Sequence, residues 1–148
     1  MNLFGKRYAS MGFCITLASS AHGYLLIVSF DFRSEKFNFI NASSFLFSST
    51  KLINYKGKLG GIDLAYNHGG VYPVELRMWV LEDVEKHEWS RHVYSLPETI
   101  EFQQCNYNIC VGGMNAIGEI VFSESYISTS KPFYVFYFNP EKKNTLRC

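Results

Sequence analysis

The sequence predicts an all-β protein, and three observations carry that reading. Aromatic residues make up 17% of the 148-residue chain, with 13 Phe and 10 Tyr, a composition that suits pleated strands better than packed helices. Three segments repeat one layout: an apolar and aromatic strand, a polar turn carrying Glu-Lys, and a strand that returns. Two pairs of adjacent glycines, Gly60-Gly61 and Gly112-Gly113, fall 52 positions apart, each upstream of one of the later repeats. The rest of the composition narrows the function classes. With 47% hydrophobic and 18% charged residues and a net charge of +1, the chain can bury a core. It lacks the long-range field that attracts nucleic acid or an anionic membrane.

Taken in order, the first clear strand is residues 12–18. The first hairpin, residues 25–40 (LLIVSFDFRSEKFNFI), follows. Its alternation sets Leu26, Val28, Phe30 and Phe32 on one face and Leu25, Ile27, Ser29 and Asp31 on the other, so both faces read as largely covered. Residues 51–55 and 59–66 flank the turn Lys56-Gly57-Lys58. The second hairpin, residues 74–93 (VELRMWVLEDVEKHEWSRHV), places Val74, Leu76, Met78 and Val80 on one face and Glu75, Arg77, Trp79 and Leu81 on the other. Residues 118–123 (GEIVFS) follow a glycine-bearing loop, and the third hairpin is residues 132–147 (PFYVFYFNPEKKNTLR).

The Glu-Lys pairs, Glu35-Lys36, Glu85-Lys86 and Glu141-Lys142, are spaced by 50 and 56 positions. Each follows residues suited to opening a turn, namely Arg33-Ser34, Asp83-Val84 and Asn139-Pro140. A repeat of about 50 residues holding several strands marks propeller blades of the kelch-like kind. Residues 1–148 therefore read as one domain, a partial β-propeller of about three blades of antiparallel strands. Rings of this kind close with about four blades or more. The chain is expected to be a fragment of a larger ring or to pair with another copy.

Several other readings fall away. Cys14, Cys105, Cys110 and Cys148 have no pair at two-residue spacing, so they read as reduced thiols rather than a zinc site. Lys6 and Arg7 precede a weakly apolar stretch, residues 11–18, in the outline of a signal peptide. Its core is short, and strand-like sequence follows directly. The sequon Asn41-Ala42-Ser43 would matter only in a secreted chain. No run of about 18 apolar residues occurs. An intracellular location, cytoplasmic or nuclear, is expected.

No catalytic, cofactor-binding or metal-binding residue is expected. Residues 57–61 (GKLGG) lack the Ser/Thr and the helix that a phosphate loop needs and read as a hairpin turn. His87 and His92, five apart in a strand, point to opposite faces and cannot chelate one ion. Glu82, Asp83, Glu85 and Glu88 interleave with Lys86 as a solvated hairpin tip. Trp79 and Trp89 read as packing between blades. A competing carbohydrate-binding or glycoside-hydrolysing reading requires Glu75, Glu82 or Glu88 to face a cavity with Trp79 or Trp89. Recognition in propellers is built from loops. Residues 66–72 (YNHGGVY), with Tyr66, His68 and Tyr72, are therefore the first candidate partner-binding segment, and residues 106–114 (NYNICVGGM), with Tyr107, the second.

The segments IVSFDFRSEKFNFI, TKLINYKGKLGGI, ELRMWVLEDVEKHEWSRHVYSLP and PFYVFYFNPEKKNTLR resemble the F-box associated β-propeller domain (type 3) of plant F-box proteins. The phrase WVLEDVEKHEWS, from Trp79 to Ser90, is the most specific part, and the resemblance runs from about Tyr8 to the C-terminus. It implies the substrate-recognition region of a Skp-cullin-F-box ubiquitin ligase, with a protein target as partner and no cofactor. No leucine-rich helical segment beginning LP-x-E/D precedes the propeller region, so the resemblance covers the recognition half. The Skp adaptor is expected as a partner only where a longer form supplies an F-box. A truncated paralogue with no activity of its own is the remaining alternative.

Overall fold

The computed structural model describes residues 2–10, 13–19, 25–42, 49–69, 73–97, 109–127, 129–142 and 146–147. Among them are twelve strands and no helix. β1 (Asn2–Ser10), β2 (Phe13–Ser19), β3 (Leu25–Asp31) and β4 (Lys36–Asn41) form the first sheet. β5 (Lys51–Tyr55), β6 (Lys58–Tyr66), β7 (Pro73–Asp83) and β8 (Glu88–Ser95) form the second, and β9 (Ile109–Met114), β10 (Ile120–Glu124), β11 (Val135–Phe138) and β12 (Leu146–Arg147) the third. Each sheet is a four-stranded antiparallel meander in sequence order. The first strands lie side by side, β1 against β5 and β5 against β9, as inner strands of successive blades do. The partial propeller of three blades is the observed architecture.

The three hairpins expected from the repeat are the outer two strands of the three blades. Their turns share one device: a side-chain oxygen that caps the turn backbone. Asp31 Oδ1 accepts the Arg33 N–H at 2.9 Å, and Asp31 Oδ2 accepts the Ser34 hydroxyl at 2.8 Å. Asp83 Oδ1 accepts the N–H groups of Glu85 and Lys86, both at 2.9 Å. Asn139 Oδ1 accepts those of Glu141 and Lys142 at 2.9 and 3.3 Å. The first turn is thus opened by Asp31 and not by Arg33-Ser34. The structural period is 52 and 56, because Glu35 and Glu85 occupy different places in their turns. Glu35 ends its turn at φ 54°, where His87 sits in the second at φ 53°.

The double glycines are not equivalent either. Gly60 lies in β6, where a Cβ would come within 3.0 Å of both Ile53 Cγ1 and the Trp79 carbonyl oxygen. The pair thus marks a close backbone approach. Gly112 and Gly113 lie in β9 at a β-bulge: Val121 opposes Gly113 and Phe122 opposes Val111, with Gly113 at φ 139°. The tight turn Lys56-Gly57, with φ 51° and 84°, has both central residues left-handed, as a two-residue hairpin requires.

Strand alternation distributes the core into two junctions. Leu76, Met78 and Val80 of β7, with Ile53 and Ile62, pack against Ile120, Phe122, Phe136 and Phe138 of the third blade. Trp79 and Leu81, one residue out of phase, pack with Leu52 against Ile27, Ile40 and Ala42 of the first blade side. The middle blade is therefore buried on both faces, as the apolar content of both faces of β7 requires. Burying so many large side chains, each of them about 1.5–3 kcal/mol, makes these junctions the main source of stability.

The first blade departs from expectation twice. Residues 2–10 form a further strand, which pairs with residues 13–19, the strand expected at residues 12–18. Its outward face is only partly covered: Phe32, Phe37 and Phe39 are 57, 63 and 50% exposed. The alternation correctly separated Ile27 from Phe30: the second blade covers the Ile27 side, while on the Phe30 side Ala18 and Val28 are buried and the outer edge is open.

Candidate functional site

Antiparallel meanders send alternate connections to opposite ends, so each blade has a tight-turn end and a long-connection end. At the tight-turn end of the second and third blades, three turns converge on a groove of about 480 Å³. Asn54 to Gly57 supply one wall, Met114 to Gly118 the second, and Asn139 and Glu141 the third. Each turn is held by an asparagine. Asn54 Oδ1 accepts the Gly57 N–H at 2.7 Å, and Asn115 Oδ1 accepts those of Ile117 and Glu119 at 3.2 and 2.9 Å.

Lys56 crosses to Glu141 in an ion pair between the second and third blades, and its ammonium lies 5.5 Å from the Tyr55 ring centre. The Glu141 hydrogen bond, then its charge, raises the Lys56 pKa. Nearby on the second blade, Lys58 pairs with Glu82. Hydrogen bonds from Lys58 and Ser90 hold the Glu82 carboxyl below its ordinary pKa. These pairs are solvent-exposed and fix turn geometry more than they add stability.

The long-connection end carries the residues singled out from the sequence. Tyr66 closes β6, 39% exposed, and its hydroxyl donates to the Ile109 carbonyl oxygen at 3.2 Å, tying the second blade to the start of the third. Burial is the main cause that raises its pKa, with Asp63 and Cys110 adding to it. His68 lies exposed in the turn that follows. Tyr72 and Tyr107 lie outside the described residues. The connection between β10 and β11 adds Tyr126, Ile127 and Phe133, exposed by 74, 80 and 45%.

The sequence reading missed these last three residues, and it missed the groove. The run 125–134 offered loop residues without the glycine and histidine content that drew attention to 66–72. Convergence of turns from two blades has no local signal at all.

The chemistry that the sequence left open resolves at specific residues. Trp79 is 7% exposed inside the first junction, and Trp89 packs beside it and donates its Nε1–H to the Asn41 carbonyl oxygen at 3.2 Å. Neither tryptophan lines the groove, nor do Glu75, Glu82 or Glu88, so the arrangement that carbohydrate chemistry requires is not assembled there. His87 sits in the outer turn rather than in a strand, at φ 53°. Among the described residues no three His, Cys, Asp or Glu side chains converge to hold a metal. No described helix is long and apolar enough to cross a membrane.

Comparison with known proteins agrees with the fold. The model of the F-box associated beta propeller domain matches residues 13–148. An Arabidopsis thaliana protein named "Putative F-box protein At1g30945" is 94% identical over 94 residues, 63% of this chain and 56% of that protein. The Arabidopsis thaliana "F-box only protein 12" is 56% identical over 123 residues, 82% of this chain and 29% of that protein. The chain thus spans about half the length of one relative and under a third of the other. No solved structure matches it. With blades, outer turns and junctions in place over the matched residues, the chain belongs to the F-box associated β-propeller family.

Proposed function

We propose that the chain is a non-catalytic protein-interaction module that holds a protein target for ubiquitin transfer by a Skp-cullin-F-box ligase. The Skp adaptor joins through an F-box supplied by a longer form. The family match over residues 13–148 carries this reading, and the exposed side chains at the long-connection end support it. Tyr66, His68, Tyr126, Ile127 and Phe133 offer aromatic and aliphatic anchors on connections of a rigid scaffold, the arrangement from which protein hot spots are built. Tyr72 and Tyr107, which the sequence also offers as partner-binding residues, are proposed on the sequence pattern alone. The cytoplasm or nucleus, where ubiquitin ligases act, is the proposed location.

The test is affinity purification from plant cells with the chain as bait, alone and fused to an intact F-box. Both baits are expected to enrich the same target, and only the fusion to recover Skp and cullin subunits. Tyr126→Ala with Ile127→Ser is expected to lose the target, whereas Ile117→Ser at the groove keeps it. Loss through Ile117→Ser alone would move the site to the tight-turn end, and enrichment of chaperones only would reject target binding.

A further inference from the structure

We infer that the turn between β10 and β11 selects a target segment that sets a carboxylate beside an aromatic or aliphatic side chain, with Lys131 as the residue that reads the charge. The inference deepens the target-binding reading above and rests on it. β10 and β11 pair from Ile120 and Phe138 up to Ser123 and Val135, and the chain between them turns at the long-connection end. Glu124 holds the base of this turn, its Oε2 accepting the Tyr134 N–H at 3.3 Å. Beyond that bond stand Tyr126 and Ile127, the two most exposed large apolar side chains among the described residues. Lys131, on the returning arm, is exposed as well.

The charge around these side chains is one-sided. The described carboxylates of this end are each engaged within the chain. Glu124 is turned back onto its own hairpin. Asp63 is buried and accepts the Ser49 hydroxyl at 2.9 Å, and Glu75 faces Arg77, with Oε2 3.6 Å from Nε. Lys131 joins no ion pair among the described residues. Lys51, which opens β5 at the same end, is half-buried and adds charge of the same sign. The tight-turn end is the contrast: there Lys56, Lys58 and Lys86 pair with Glu141, Glu82 and Asp83, so cations and carboxylates answer one another.

Two physical effects then divide the work of recognition. Covering Tyr126 and Ile127 removes apolar surface from water and supplies affinity. A cation at the rim of that surface, with no carboxylate of its own chain to answer it, attracts an acidic segment and repels a basic one, which supplies selectivity. An exposed pair of this kind is worth about two- to fivefold in affinity and weakens as salt screens it.

Selection of a displayed library of random linear peptides on the whole chain tests this, with a parallel selection on Tyr126→Ala combined with Ile127→Ser to remove peptides that bind elsewhere. The peptides that depend on Tyr126 and Ile127 are expected to be enriched in Asp or Glu next to Phe, Tyr, Leu or Ile. Selection on Lys131→Glu should turn that preference towards Lys and Arg. Lys131→Gln should weaken a synthetic acidic peptide from the pool by about two- to fivefold and flatten its salt dependence, with thermal melting of the protein unchanged. Peptides that depend on Tyr126 and Ile127 without an acidic preference, or with a preference that Lys131→Glu leaves unchanged, would overturn this inference and leave the target-binding surface standing. A selection in which nothing depends on Tyr126 and Ile127 would overturn both.

Discussion

Trp89 donates its indole N–H across a blade junction to the main-chain carbonyl of Asn41, 48 positions earlier, at 3.2 Å. One side chain thereby joins the start of β8 to the end of β4, while its ring packs beside Trp79 and Leu81. Trp89→Phe keeps most of the apolar contact and removes the donor, so a loss of about 1 kcal/mol is expected. Trp89→Ala also opens the junction and should cost about 2–3 kcal/mol, since the ring is only half-buried. Urea denaturation of the three proteins checks the order.

Gly60→Ala is expected to destabilise by about 1–3 kcal/mol, because its Cβ would press on the Trp79 carbonyl and Ile53 Cγ1 at 3.0 Å in a closely packed sheet. Gly113→Ala meets open space, yet the φ of 139° is disfavoured for a side chain, and a loss of about 1–2 kcal/mol is expected. Thermal unfolding of the two variants measures both losses.

Asp83→Ala leaves the N–H groups of Glu85 and Lys86 without their acceptor. Because the turn is exposed and water can replace it, the expected cost is about 0.5–1 kcal/mol. Asp83→Asn should retain most of the stability, as Asn139 performs the same task in the third blade. Amide exchange of Glu85 and Lys86 reads the change directly.

The Glu82 carboxyl titrates below its ordinary value of 4.5, through hydrogen bonds from Lys58 first and Ser90 second. A carboxylate whose pKa is lowered by folding stabilises the native state above its unfolded pKa, and that contribution is lost as pH falls through the folded one. Acidification from about pH 5 towards pH 3 should therefore release the Lys58 contact. Lys58→Ala should move the Glu82 carboxyl resonance midpoint upward in an NMR titration.

How much was legible in the sequence follows from the range of each interaction. The hairpins were readable because their signals are local: alternating Leu76, Met78 and Val80 against Trp79 and Leu81, and a turn opener at Asp83 or Asn139. The exact repeat was misjudged by two positions in the first blade. Glu-Lys is a compositional echo, while Asp31 makes the hydrogen bonds. The strand at residues 2–10 was missed because Lys6 and Arg7 interrupt its apolar run, and pairing with β2 overrides that weak propensity.

Of the proposed binding residues, Tyr66 and His68 were found at a loop by composition, but their shared end with Tyr126, Ile127 and Phe133 rests on how two meanders stand side by side. By itself the sequence determined that this protein is built of three aromatic-rich blades, since hydrophobic period and turn chemistry act within a few residues. Tertiary structure alone decided which faces those blades cover, leaving Phe37 open and Leu81 closed, because burial depends on a neighbour that no local pattern encodes.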